Sequence, residues 1–333
     1  MKKFGPTSRL AVESFTILGM LCITGFTAPP AFAQTIAYVT NLNDGTISVI
    51  NTATNAVVGT FPAGQTPFAA AFTPNGRFAF VLSENGNTVS VISTATRTVV
   101  GNSIPVGQTP VTLAFTPNGR FAYVTNFSDD TVSVINTRTQ AVSSIAVGFN
   151  PTSVAITPTG GYAYVSNFGD GSVSVINTAN NAVVDTIAIG QGRTNRLAIT
   201  PNGSRVYVTN FDNGSVSVID TANNNVVGAP IPVGTNPVGL AITPNGRFAY
   251  VTNYGAGTVS VINTATNTVV GNPIPVGSLP GSVDISPNGR EAYVTNSGSN
   301  TVSVISTRTN TVISTIAVGQ DPSDVAVLDD RDH

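Results

Sequence analysis

The sequence predicts an all-β fold, a seven-bladed β-propeller of four-stranded blades. Three observations carry the prediction. A repeat of 41 to 43 residues runs through the chain, marked by Tyr38, Phe80, Tyr123, Tyr164, Tyr207, Tyr250 and Tyr293. Such a repeat is one supersecondary unit that buries its apolar faces only against its neighbours. Beyond residue 33 there is no Lys, Met or Cys, while Val, Ile, Thr, Tyr and Phe alternate with Ser and Asn; this is strand chemistry, poor in helix formers. The two ends of the repeat region also complement one another, as argued below.

Taken in order, residues 1–33 read as a secretory signal. Lys2, Lys3 and Arg9 form a positive start, Phe15 to Phe26 is largely apolar, and Ala31-Phe32-Ala33 is a small-residue cleavage site. The mature chain is expected to begin at Gln34, outside the cytoplasm, in the periplasm, the medium or at the cell surface. No apolar stretch of spanning length follows, so no membrane span is expected in the mature chain. Without Lys2, Lys3, Arg9 and Glu13 the remainder holds 11 Arg and 15 acids, a net charge of −4. A mildly acidic chain without lysine argues against nucleic acid as a partner.

Each copy contains four strand signals bounded by turn residues. In one copy these are Ala249 to Asn253, then Thr258 to Ile262 with a period of two, then Thr268 to Val276 broken by Gly271 and Pro273, then Val283 to Ile285 before the corner Ser286-Pro287-Asn288-Gly289. Pro62, Pro105, Pro232 and Pro275 all fall in the third of these segments. Proline cannot donate to a ladder, which places that segment at the rim and the fourth beside the axis. Residues 34–328 are thus one propeller domain, with 329–333 a short tail. The domain opens without an innermost strand before Tyr38 and ends with an unpartnered one at Ser323 to Leu328, so the last run is expected to complete the first blade and close the ring.

The runs Ala122-Tyr123-Val124-Thr125-Asn126, Val132 to Thr137 and Thr116-Pro117-Asn118-Gly119-Arg120 resemble the YVTN family of β-propeller repeats, over about residues 36 to 328. Similar repeats occur in YncE-like periplasmic proteins and in surface-layer proteins. More distant seven-bladed relatives include lactonases and proteins of the haem d1 pathway. The resemblance implies the fold and does not transmit an activity.

A residue present in most copies is explained by the blade, so chemistry is sought among departures. The Asn of each Tyr-Val-Thr-Asn line reads as a turn cap, and Asp44, Asp129, Asp130, Asp170 and Asp212 as hairpin residues. The single histidine is the terminal His333, which leaves no Ser-His-Asp triad, no zinc cluster and no internal haem ligand, and no cofactor is expected. Two departures remain. The segment from Gly190 to Ala198 lacks the usual proline, gains a residue and carries Arg193, Asn195 and Arg196, a donor set suited to a carboxylate or phosphate. Asp284 stands where other inner strands carry Ala155, Ala198 or Ala241, and a carboxylate near the axis requires a partner.

These features lead to a first expectation of an exported, monomeric, non-enzymatic scaffold that binds an envelope or extracellular protein or a small ligand at the channel mouth, through Arg193, Asn195, Arg196 and Asp284. The alternative is a lactonase-like hydrolase or lyase using Arg193, Arg196 and Asp284 about the channel. Arg193 and Arg196 beside Phe168 or Phe211 also allow a third reading, a small stacking patch for single-stranded nucleic acid.

Overall fold

The computed structural model describes residues 35–190 and 192–328; the expected signal and C-terminal tail lie outside the described residues. Strands joined by turns account for the regular structure, with no helix among the described residues. They form seven antiparallel sheets, each running from an inner strand at the axis to an outer strand at the rim. The inner strands are Pro67–Phe72, Pro110–Phe115, Pro151–Ile156, Thr194–Ile199, Pro237–Ile242, Pro280–Ile285 and Pro322–Val327. Each pairs with a second strand carrying the repeat's aromatic residue, by which the blades are named here.

The outer strands bear out the proline argument. In the Phe80, Tyr207 and Tyr250 blades they split into two short pieces, such as Thr268–Val269 and Ile274–Pro275, around a glycine at φ 69 to 73°. The ring closes as expected. Pro322–Val327 pairs with Ile36–Asn41, setting Tyr38 opposite Ala326 and Thr40 opposite Asp324. The first blade therefore takes three strands from the start of the propeller and one from its end.

Blades pack face to face through alternate residues. Tyr38, Ile47 and Val49 of one blade meet Ala79, Val81 and Ile92 of the next, and the same arrangement recurs around the ring. Full burial of each such Ile or Val side chain contributes about 1.5–3 kcal/mol. The six tyrosines of the repeat are completely buried, and burial pushes the hydroxyl pKa of each above its ordinary value, to about 12 for Tyr123, Tyr164 and Tyr250.

The repeated Asn has a structural task. Asn126 Nδ2 donates to Thr131 Oγ1 and Ser133 Oγ, both at 2.9 Å, which ties the hairpin ends beneath the mouth. The preceding loop crosses so closely that a Cβ on Gly107 would lie 2.6 Å from the Asn126 amide, so the repeat needs glycine there. The hairpin position after the acidic residues is left-handed, as at Gly45, Asp130, Gly171 and Gly214, with φ between 56 and 66°.

Candidate active site in the central channel

Inner strands end at the axis, and their third residues decide what faces the channel. Aligned around the ring these are Ala69, Thr112, Ser153, Arg196, Gly239, Ser282 and Asp324. The pairing of each inner strand slips near this residue, for example between Thr194 and Leu197, and such bulges re-aim a side chain. The slipped N–H is not left without a partner. Thr209 Oγ1 accepts from Arg196 N at 2.9 Å, and Thr40 Oγ1 from Asp324 N at 3.0 Å. In the five blades whose line carries Thr, that Thr is thus the clamp that sets the backbone beneath the channel residue.

In ordinary copies the third side chain links neighbouring blades: Thr112 Oγ1 accepts from Val154 N at 3.2 Å, and Ser153 Oγ from Leu197 N at 3.3 Å. Asp324 does the same, accepting from Ala70 N at 3.2 Å through Oδ2. Its other oxygen faces Arg196, whose Nη2 crosses from the far side of the ring to within 3.5 Å of Oδ1. Both side chains are largely enclosed, with 22% and 10% of their surface exposed.

Asp284, at the fifth position of its strand, accepts from its neighbour Ile285 N and from Val327 N of the next blade, each at 2.8 Å. Desolvation in the channel, helped by the Asp324 charge, outweighs these donors and pushes its pKa up to about 7. Arg196, Asp284 and Asp324 line one cavity of about 470 Å³. Its walls include Leu113, Val154 and Leu240, and it extends to Thr73 and Pro74 at the corner-turn end of the channel. The arrangement is a carboxylate poised to exchange a proton near neutral pH, a second carboxylate, and a guanidinium held by that second carboxylate, in a chamber with both polar and apolar walls.

The remaining residues singled out in the sequence lie elsewhere. Arg193 stays at the mouth with almost half its side chain exposed, gripping Asp212 through Nε at 3.0 Å and Nη2 at 2.6 Å. Its guanidinium lies over Phe168 and Phe211, 4.9 and 5.1 Å from the ring centres. The Arg193 side-chain hydrogen bond holds the Asp212 carboxyl below its ordinary pKa. Asn195 contributes its main-chain carbonyl, which accepts from Thr152 Oγ1 at 2.9 Å and from the Ser166 hydroxyl. Asp324 was not singled out in the sequence. Aligning the third residues of all seven inner strands reveals it, because only Arg196 and Asp324 are charged there.

Residues 182–282, from the outer strand of the Tyr164 blade through Arg196 to two residues short of Asp284, match the family model described as lactonase, 7-bladed beta-propeller. The chain is a seven-bladed β-propeller. Hydrazine synthase of Kuenenia stuttgartiensis is similar over 81% of this chain and 92% of that one, with 25% identity and a TM-score of 0.74. A putative 6-phosphogluconolactonase from Bacteroides uniformis shares 18% identity over 89% of this chain and all of its own length, with a TM-score of 0.74. The dihydro-haem d1 dehydrogenase NirN is 15% identical over 90% of this chain and 77% of its own, with a TM-score of 0.66. No curated protein sequence matches. The lactonase match overturns the first expectation from the sequence, a non-enzymatic scaffold, in favour of the lactonase-like alternative. The physical reason is that Arg196, Asp284 and Asp324 converge in the channel cavity from inner strands, beneath the uniform loops of the mouth.

Proposed function

We propose that the propeller is a lactonase-type hydrolase whose reaction takes place in the channel cavity. The observation that carries this reading is Asp284, a carboxylate with its pKa pushed to about 7, in the same chamber as the Arg196 guanidinium. A general base works best when its pKa lies near the operating pH. Asp284 takes a proton from water as the water oxygen bonds to the lactone carbonyl carbon. The carbonyl oxygen, gaining negative charge, is stabilised by Arg196. The bond between that carbon and the ring oxygen then breaks, and Asp284 returns its proton to the leaving oxygen. One lactone and one water give one hydroxy acid. Asp324 positions Arg196 by ion pairing and is itself fixed by Ala70 N.

The test is hydrolysis of a panel of five- and six-membered lactones, followed by acid release. Acceleration by the unaltered chain, reduced on the order of 10²-fold or more by Asp284→Asn, supports the reading. No acceleration of any lactone, or full activity in Asp284→Asn, removes it. The YVTN-type character of the repeats and export after Ala33 belong to the same proposal, on the strength of Ala122 to Asn126 and of Lys2, Lys3 and Ala31 to Ala33; N-terminal sequencing of the protein recovered from its host tests the latter.

A further inference from the structure

The ring is electrically two-faced. The hairpins between second and third strands, and the loops entering the inner strands, all lie at the mouth. They carry Asp44, Glu84, Asp129, Asp130, Asp170, Asp212 and Asp321 against the single cation Arg193, a net charge of −6. On the opposite face, the corner turns carry Arg77, Arg120, Arg247 and Arg290, and the hairpins before the outer strands carry Arg97, Arg138 and Arg308. With Arg205 added and Asp185, Asp220 and Glu291 subtracted, that face holds +5. The chain after Leu328, outside the described residues, holds a net −2, too little to cancel this excess. The overall charge of −2 conceals the separation.

Among the described residues, Arg205 with Asp220 is the one ion pair on the arginine face. Arg77, Arg120, Arg138, Arg247, Arg290 and Arg308 are exposed. Unneutralised like charges on one face repel one another and are favoured only where counter-charge is supplied. We infer that this face docks flat on an anionic lipid bilayer. The layout selects a planar partner. The arginines lie in an inner set at the corner turns and an outer set at the hairpins, spread over four of the seven blades. Nucleic acid would instead require a stripe or groove with stacking rings along it. In the Tyr164 blade, which has no arginine on this face, Tyr162 is an exposed aromatic, at 44%, a residue suited to the headgroup level. Juxtamembrane arginines gain from an anionic leaflet within a Debye length, so several in one plane act together. The acidic mouth is turned towards solvent in this pose. The inference rests on surface charge and not on the lactonase reading, although the cavity end at Thr73 and Pro74 lies on this same face.

The experiment is co-sedimentation of the full chain with phosphatidylglycerol-containing and with pure phosphatidylcholine vesicles, at low and at high salt. Partition onto the anionic vesicles is expected to exceed that onto neutral ones by at least about tenfold at low salt and to collapse at high salt. The variant Arg77→Gln/Arg120→Gln/Arg247→Gln/Arg290→Gln is expected to lose the difference. Arg120 and Arg247 rest over Phe121 and Phe248 at 5.9 and 5.7 Å; the exposed pair Arg138→Gln/Arg308→Gln, which disturbs no such contact, is therefore expected to weaken binding in the same direction with Tm unchanged. Equal partition onto both vesicle types, indifference to salt, full binding by both variants, or preference for single-stranded DNA over vesicles in competition would each overturn the inference.

Discussion

The Tyr293 hydroxyl donates to Asn55 Oδ1 at 2.8 Å, joining the blade before the seam to the hairpin of the blade that the C-terminal strand completes. Four further tyrosines make the same bond to the next blade: Tyr123 to Asn181, Tyr164 to Asn224, Tyr207 to Asn267 and Tyr250 to Asn310, at 2.6 to 2.7 Å. The acceptor position is left-handed, with φ of 51° at Asn55 and 56° at Asn181, a conformation that asparagine tolerates better than most residues. Where the repeat places Arg97 instead, at φ 57°, the buried Tyr38 hydroxyl has no hydrogen-bond partner. Arg97→Asn is therefore expected to supply a sixth bond and raise stability by about 1 kcal/mol, and Tyr293→Phe to lower it by about as much. Denaturant titration of the two variants checks both signs.

Deletion after Gln320 removes the strand Pro322–Val327, with its pairing to Ile36–Asn41 and the buried Val325, Ala326 and Leu328. It also opens the one seam at which sequence neighbours do not meet. The loss is expected to rival the whole stability of a domain, about 5–15 kcal/mol, and to abolish cooperative melting near the temperature of the intact chain. Calorimetry of the truncated and intact chains measures it; an unchanged Tm would mean that closure by this strand is unimportant.

The architecture was legible because each blade repeats its own instructions. Pro275 marked the rim, Gly271 the break in the outer strand, and the unpaired inner strand after Asp321 the seam. Asp284 was legible too, as a carboxylate among alanines. Asp324 was not, because it lies in the very strand read for closure, and its departure from Ser153 and Ser282 emerges only when third positions are aligned across the bulges. The rings beside Arg193 were legible as Phe168 or Phe211; its ion-pair partner was not. Its partner Asp212 and the ring of Phe211 come from the hairpin of its own blade, and Phe168 from the preceding one, a convergence that depends on blade spacing. Charge separation was masked by net charge, which sums over faces that the fold keeps apart.

Asp284 gives stability a definite pH dependence. Its folded pKa, about 7, lies above the ordinary value of 3.8, so the folded chain binds more protons than the unfolded chain between those limits. This group's contribution is therefore most favourable at low pH and is lost as pH rises towards and through 7. Asp284→Asn removes the penalty. The Tm of the variant relative to the unaltered chain is expected to be higher at pH 8 than at pH 5, the difference corresponding to roughly 2–4 kcal/mol. Melting curves across that range test it, and parallel curves would mean that Asp284 is ordinarily acidic.

Arg196 and Asp324 are expected to behave as one unit. Asp324→Ala strands both the Arg196 guanidinium and the Ala70 N–H that Asp324 now satisfies, at a cost of about 3 kcal/mol. Arg196→Ser/Asp324→Ser places at both positions the residue that Ser153 and Ser282 already carry in their strands. The double variant should thus be more stable than the sum of the single changes predicts, by at least about 1 kcal/mol. Activity separates the two partners. Asp324→Asn keeps the shape but removes a charge that raises the Asp284 pKa, so the limb of the pH–rate profile governed by Asp284 should move to lower pH. In the proposed reaction Arg196→Gln removes the group that stabilises the oxyanion and should depress kcat. If Asp324→Asn leaves the limb in place, the two carboxylates are not coupled and Asp324 serves only to bind Arg196 and the neighbouring blade.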